Sequence, residues 1–393
     1  MKKFKILFLT WKSFGNDDVI DAFRREDHEV TKFAYSDKDE PDDAAAVERM
    51  ATQIRQSGAD CVFSFNYFPV AALACRELGV PYLSWIYDSP YVRIYHYSIA
   101  YPTNHVFVFD SSVYHEFHNA GIQTVHFLPM AANTERLSAM KDFEMFRKTG
   151  WKNAHEVAFI GSLYTEAHNF YDRMTGIKDY TRGYLEGMMA AQSKVYGYNF
   201  VQETLKAHPE LIEDMRQFLP MTPGHDSVES IEYLFAQYVI NRQITALERK
   251  ELLSAVSERF GLDLYTPDQS FQMKGCTNHG KVDYYDMAPY VFKQAKINLN
   301  ISLRSIIAGM PLRAFDIMGA GGFLLTNFQS DFLEFFVPGE DYVYFESKAD
   351  MMDKIAYYLA HEEERRQIAE SGCRKIAEQH TYRHRVREML GYL

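Results

Sequence analysis

Short apolar runs, each closed by turn residues and separated by stretches of helical periodicity, fill the first third of the chain. Lys5–Thr10 is a β-rich run, followed by Gly15 and a helical pattern through Val19, Ile20 and Phe23. Cys61–Phe65 ends in Asn66, Tyr67, Phe68 and Pro69, and Tyr82–Tyr87 ends in Asp88, Ser89 and Pro90. His105–Phe109 runs into Asp110, Ser111 and Ser112, and Val125–Leu128 follows. Runs of this length in alternation with helices predict βαβ units on a parallel sheet. Ligands bind beyond the carboxyl ends of such strands, which places Gly15, Asn66, Asp88 and Asp110 where a ligand is expected.

A polar, strand-poor stretch over Asn133–Asn153 reads as a linker, and Val157–Gly161 opens a second series. About 90 residues of helical character come next, with Ile231, Leu234, Phe235, Tyr238 and Val239 on one apolar face and Asp226 or Ser227 as its cap. Strand signals return at Leu262–Tyr265, Ile297–Ile301, Phe323–Thr326 and Tyr342–Phe345. Asp350–Leu359 and Glu362–Gln379 read as helices, and Thr381 offers a cap for a last, basic one. The organisation expected is an N-terminal domain over 1–150, a second over 151–380 with a helical insert at about 165–260, and a terminal helix over 381–393 that crosses back.

At 393 residues the chain has material for more than one core. A net charge of −11 with no long basic block argues against a nucleic-acid partner. Cys61, Cys75, Cys276 and Cys373 are scattered, so neither a zinc site nor a disulfide framework is indicated, and reduced thiols in the cytoplasm fit best. The apolar start through Trp11 lacks a cleavage site and reads as a buried strand, and no run is long enough to span a bilayer. Aromatic residues make up 15% of the chain, and Tyr67, Phe68, Tyr87, Tyr91, Tyr95, Tyr164 and Tyr284 gather near the expected site edges. Core packing accounts for most of them, though flat rings also suit a sugar or a base.

Lys296–Asn327 is the stretch richest in chemistry. A strand with alternating Asn298 and Asn300 leads through a loop to Gly309, Met310 and Pro311, which open a helix. Gly319–Gly322 can end it with a left-handed residue. Arg313 in the first turn and Asp316 three residues on share a face. A phosphate at the helix start beside Arg313, with Asp316 accepting from a ribose diol, is one reading. An Arg–Asp pair on a solvated face is the other.

The segment Gly309–Gly322 resembles the donor-binding segment of GT-B glycosyltransferases, most of all the spore-maturation protein B (CgeB-like) branch. Val157–Tyr164, Tyr196–Phe200, Lys296–Ile301, Asp341–Phe345 and His380–Arg385 agree with it. Ser64–Pro69 and Ser84–Pro90 look like the bacterial domain of unknown function paired with that branch. The resemblance implies an α/β protein of two Rossmann-like domains facing across a cleft, the C-terminal one for a nucleotide sugar and the N-terminal one for the acceptor. By position, Gly161 and Ser162 would approach the pyrophosphate, Arg313 would pair with phosphate, and Asp316 would hold the ribose. Gly309 opens the donor segment, Tyr284 lies in the Gly280–Tyr284 stretch where the base rests, and Arg304 is a second phosphate candidate. Ala308 stands where retaining enzymes carry the first acidic residue of E-x-x-x-x-x-x-x-E.

Transfer needs a base for the acceptor hydroxyl and stabilisation of the departing diphosphate. Asp88 is the candidate base, with an ordinary turn opener as its plainer reading. Gly15, Asn66, Tyr67 and Asp110 are acceptor-side candidates, and Asp110 could equally cap a helix. The histidines form no H-E-x-x-H, and the pair Asp42–Asp43 lies in a polar run unlike a D-x-D metal motif, so no metal and no cofactor beyond a nucleotide sugar, with UDP as the nucleotide, is expected. Arg383, Arg385 and Arg387 read as a solvated helix face, with peripheral contact to a membrane or an anionic polymer as the alternative. The expected activity is cytoplasmic transfer of a sugar to a glycan, lipid-linked or protein hydroxyl. A catalytically silent scaffold of the same fold in cell-surface or spore-coat assembly is the alternative, and a sugar-nucleotide epimerase is an outlier for which no acid/base pair is found.

Overall fold

The computed structural model describes residues 2–36, 43–140, 155–165 and 169–393. The chain forms two compact units, one of Met1–Ala131, Pro223–Glu229 and Gln379–Leu393, the other of Ala132–Thr222 and Ser230–Glu378. Part of the expected linker, and Asp42, fall outside the described residues.

The first unit is built on a parallel sheet of β1 (Lys5–Thr10), β2 (Glu29–Ala34), β3 (Cys61–Phe65), β4 (Tyr82–Trp85), β5 (Asn104–Val108) and β6 (Val125–Phe127) in the order β2-β1-β3-β4-β5-β6. β3 and β4 are buried along their whole length, as interior strands covered on both faces must be. β2, which carries no apolar run, lies at the edge with its residues half-buried or exposed. The chain order reverses between β1 and β3, so the turns after β1, β3 and β4 open on the switch point.

The terminal helix Tyr382–Leu390 belongs to this unit and packs on the helix Asn16–Arg25. Of its arginines, Arg383 and Arg387 lie on a partly exposed face, paired within the unit, and only Arg385 departs from the expected solvated face. Arg383 and Arg387 both donate to the carboxylate of Glu26, at 2.7 and 2.6 Å, and Arg385 is buried with its Nε donating to the carbonyl of Pro129 at 2.8 Å. Burial works against the charge of Glu26, but the hydrogen bonds from Arg387 and Arg383 prevail and hold its pKa below the ordinary value.

The second unit holds a parallel sheet in the order β12-β11-β10-β7-β8-β9, formed by β7 (Val157–Ile160), β8 (Leu262–Tyr265), β9 (Cys276–Asn278), β10 (Ile297–Asn300), β11 (Leu324–Asn327) and β12 (Val343–Phe345). This is the doubly wound order, with its switch point between β7 and β10. The asparagines of β10 are buried, and each amide is used: Asn298 donates to Phe292 O at 2.9 Å and Asn300 to Thr326 Oγ1 at 2.9 Å. Gly322 makes the tight entry to β11 feasible, since a Cβ there would lie 2.7 Å from both Asn298 Nδ2 and Phe292 O. Gly321, at φ 81°, supplies the left-handed stop after the helix Leu312–Gly319.

The insert lies between β7 and β8 and has its own apolar core around Leu185, Met215, Phe235 and Val239. Its helix begins at Ile231 and is capped by Ser230, whose hydroxyl accepts from Tyr233 N at 3.1 Å. Asp226 and Ser227, expected as caps, instead pair with Tyr97 and His96 of the first unit. Over Phe235–Ile240 the helix widens into a π turn and then continues as Asn241–Phe260. Among the described residues no helix is long and apolar enough to cross a membrane.

Candidate functional site

The carboxyl ends of β7 and β10 meet at the switch point of the second sheet, and one side chain ties them together. Arg249, from the helix Asn241–Phe260, is buried and donates to the carbonyls of Ser162, at 2.5 Å, and Ile301, at 3.1 Å. It fixes the two turns that follow the strands. Ser162 Oγ accepts from Tyr164 N at 2.9 Å, and Tyr164 adopts φ 57°, a left-handed conformation uncommon for a residue with a Cβ. The Gly161–Tyr164 turn is therefore held from within and from the insert.

Arg313 and Gly161 come together as expected. A Cβ on Gly161 would lie 3.4 Å from Arg313 Nη1 and 3.2 Å from the Phe159 ring, so glycine lets the guanidinium lie against the turn. The Nε of Arg313 is buried and has no hydrogen-bond partner among the described residues. A buried N–H without a partner is costly, and on a guanidinium an anion is an acceptor able to satisfy it. Gly309 and Pro311 lead into the helix start at Leu312, one residue before Arg313.

Asp316 is 9% exposed, and its Oδ2 accepts from Tyr284 Oη at 2.8 Å. Burial first, and then the Asp316 charge, push the Tyr284 phenol well above its ordinary pKa, so it stays a donor to that carboxylate. Tyr284 thus braces Asp316; its hydroxyl is engaged there rather than offered to a base.

Arg304 is a correction. Its guanidinium pairs with Glu248 through Nε and Nη2, both at 2.7 Å, donates to the carbonyls of Val195 and Ser193, and stacks 4.0 Å from the Tyr196 ring. The group is committed to joining the insert to the turn after β10, which removes it as a phosphate ligand. A cavity of about 510 Å³ beside Tyr196 and Glu248 is lined by none of the expected site residues.

In the first unit Asn66 and Asp88 meet at the ends of β3 and β4. Asn66 is buried at φ 58°; its Nδ2 donates to Asp88 Oδ2 at 2.7 Å and its Oδ1 accepts from Tyr87 N at 3.2 Å. Asp88 is exposed as a residue, and Asn66 orients its carboxylate. The other acceptor-side candidates are structural. Tyr67 is fully buried with its hydroxyl on Ser98 at 2.7 Å, which makes it a core residue. Asp110 caps the helix Ser111–Asn119, accepting from Ser112 N at 2.9 Å. Gly15, at φ 81°, stands where a Cβ would meet Tyr382 Oη at 3.0 Å and the Phe65 ring at 3.3 Å, so its role is close approach of the chain.

Arg242 and Arg249 escaped the sequence reading. Their spacing of seven puts them on one helix face, but beside Glu248, Lys250 and Glu251 that pattern is indistinguishable from a solvated charged face.

No curated protein matches the chain. Residues 242–391 match the family model described as glycosyl transferase-like, a span that contains Arg242, Arg249, Arg313 and Asp316. Among solved structures, Anabaena Alr3699/HepE in complex with UDP-glucose is similar at a TM-score of 0.58 and 10% identity, covering 99% of this chain and 100% of that one. Sucrose-phosphate synthase from Thermosynechococcus elongatus is similar at 0.57 and 7%, covering 99% and 98%. A glycosyltransferase from Rickettsia africae ESF-5 is similar at 0.53 and 12%, covering 100% and 98%. The chain has the GT-B fold, and its C-terminal residues carry the glycosyl transferase-like pattern.

Proposed function

We propose that the protein is a cytoplasmic, metal-independent glycosyltransferase of the CgeB-like branch that moves a sugar from a nucleotide diphosphate sugar to a hydroxyl of a glycan, lipid-linked or protein acceptor. The observation that carries this reading is Arg313, with its buried, unpartnered Nε against Gly161 at the switch point. UDP is the proposed nucleotide, because UDP and UDP-glucose are named with the similar Anabaena structures. The buried free thiols Cys61 and Cys75 suit a reducing compartment.

The chemistry assigned to each group follows from its surroundings. Arg313, the Gly161–Ser162 turn and the start of the helix Leu312–Gly319 hold the diphosphate; Asp316, braced by Tyr284, accepts from the ribose hydroxyls. Asp88 takes the proton of the acceptor hydroxyl as its oxygen bonds to the anomeric carbon. The carbon–oxygen bond to the phosphate breaks, and its electron pair leaves with the diphosphate, whose charge Arg313 stabilises. Asn66 keeps the Asp88 carboxylate oriented.

Ala308 favours one second reading, a scaffold that binds the nucleotide sugar or a glycan without turnover. Incubation with UDP-, GDP- and dTDP-sugars, scoring binding and slow donor hydrolysis, separates the two. Hydrolysis that falls at least tenfold in Asp88→Asn supports the enzyme; binding with no hydrolysis, indifferent to that substitution, supports the scaffold.

A further inference from the structure

The insert contributes more to the switch point than the structural arginine Arg249. Because the helix resumes at Asn241 after the π turn, Arg242 and Arg249 fall seven apart on a single face, and both guanidinium groups stand over the Tyr164 ring, at 5.7 and 4.9 Å. The two groups differ in one respect. Arg249 is committed to the carbonyls of Ser162 and Ile301, whereas Arg242 Nε is buried with no hydrogen-bond partner among the described residues.

Gln243, next in sequence to Arg242, accepts from Asn169 Nδ2 at 2.5 Å, and the same Nδ2 donates to the Tyr164 carbonyl at 3.3 Å. The Tyr164 N–H is taken by Ser162 Oγ. Both backbone groups of Tyr164 are thus taken, whereas the half-buried guanidinium above its ring keeps a buried Nε–H without a partner among the described residues. A guanidinium does not neutralise itself by losing a proton, so its orphaned N–H awaits an acceptor, and an anion is the acceptor that gains most. Arg313, on the Gly161 side of the same turn, carries the same vacancy at its own Nε. One turn therefore has a partly unsatisfied guanidinium from the sheet-following helix and another from the insert.

We infer that Arg242 is a second phosphate ligand, so that the Gly161–Tyr164 turn takes a nucleoside diphosphate between two arginines, one supplied by the helical insert. This rests on the reading of that turn as the diphosphate site. It makes the insert part of the donor site, not merely extra length, and it predicts a preference for a diphosphate over a monophosphate.

The test is equilibrium binding of nucleoside, nucleoside monophosphate and nucleoside diphosphate, using uridine, guanosine and thymidine forms, to the full chain and to Arg242→Gln, Arg242→Lys and Arg313→Gln. The wild-type protein is expected to bind one diphosphate, with Arg242→Gln weakening it about 10- to 100-fold, a single charged hydrogen-bonded contact, and leaving the nucleoside within twofold. Arg242→Lys should recover part of the loss. Thermal unfolding without nucleotide should show all four proteins folded, with Arg242→Gln and Arg242→Lys close to wild type, since Nε has no hydrogen bond to lose and the contact with the Tyr164 ring is long. Diphosphate binding within twofold of wild type in Arg242→Gln overturns the inference while leaving the diphosphate site intact. Equal losses for nucleoside and diphosphate, or unfolding of both Arg242 variants, also overturn it by making the residue structural. If no diphosphate binds the wild-type protein, the diphosphate reading itself falls, and this inference with it.

Discussion

Arginine does three different jobs around the second sheet, and the partners of each guanidinium tell them apart. Arg304 is saturated by Glu248 and two carbonyls, so it is a buried ion pair inside the fold. Removing one partner of such a pair leaves an uncompensated buried charge, and Glu248→Ala should cost about 3–5 kcal/mol of stability in urea unfolding. A cost under about 1 kcal/mol would show that the pair is not the anchor described. Arg249 holds two strand ends, and Arg313 keeps an N–H in hand. Asp316 is expected to act on the ribose, so Asp316→Ala should weaken nucleoside and nucleoside diphosphate by similar factors, unlike a change at Arg313. Spacing made the Arg313–Asp316 face visible in the sequence. It could not separate Arg304 from Arg313, because saturation depends on Glu248, which lies 56 residues away.

Among elements, the interior strands declared themselves, and of the four edge strands β6 and β12 did while β2 and β9 did not. β3, β4 and β7 are unbroken buried runs and were legible as apolar runs, whereas β10, equally buried, was legible as a strand by its alternation of asparagines with apolar residues. β2 and β9 lie at sheet edges with exposed or half-buried residues, so no apolar run marks them. The π turn at Phe235–Ile240 was invisible for another reason: the apolar spacing around it fits an ordinary helix, and only the packed insert shows where the extra residue goes. Asp110 and Tyr67 ended up as a cap and a core residue because burial, unlike position at a strand end, cannot be read from the local sequence. Two tests belong at this scale. Gly322→Ala forces a Cβ to 2.7 Å from Asn298 and Phe292, and should destabilise the protein by about 1–3 kcal/mol in thermal or urea unfolding. The terminal helix should loosen in acid. Glu26 has its folded pKa depressed by Arg387 and Arg383, so its contribution is present above the ordinary carboxylate value of about 4.3 and is lost as pH falls through the depressed one. Protection of the Tyr382–Leu390 amides, taken as the exchange rate relative to that of an unstructured peptide at the same pH, should fall below about pH 4 and should lose this pH dependence in Glu26→Gln.

For the whole molecule, the negative charge and the anionic ligand are compatible. A net charge of −11 disfavours a polyanion spread over the surface, whereas a diphosphate needs only the Gly161 turn, a helix start and arginines whose N–H groups have no other use. The GT-B fold supplies the strand ends, and the side chains at those ends carry the proposed activity. The most direct measurement is binding of a nucleoside diphosphate and its parent nucleoside to the wild-type protein and to Arg313→Ala. The account predicts that the substitution weakens the diphosphate at least tenfold while the nucleoside stays within about twofold. Equal weakening of both ligands, or no diphosphate binding by the wild-type protein, would contradict it.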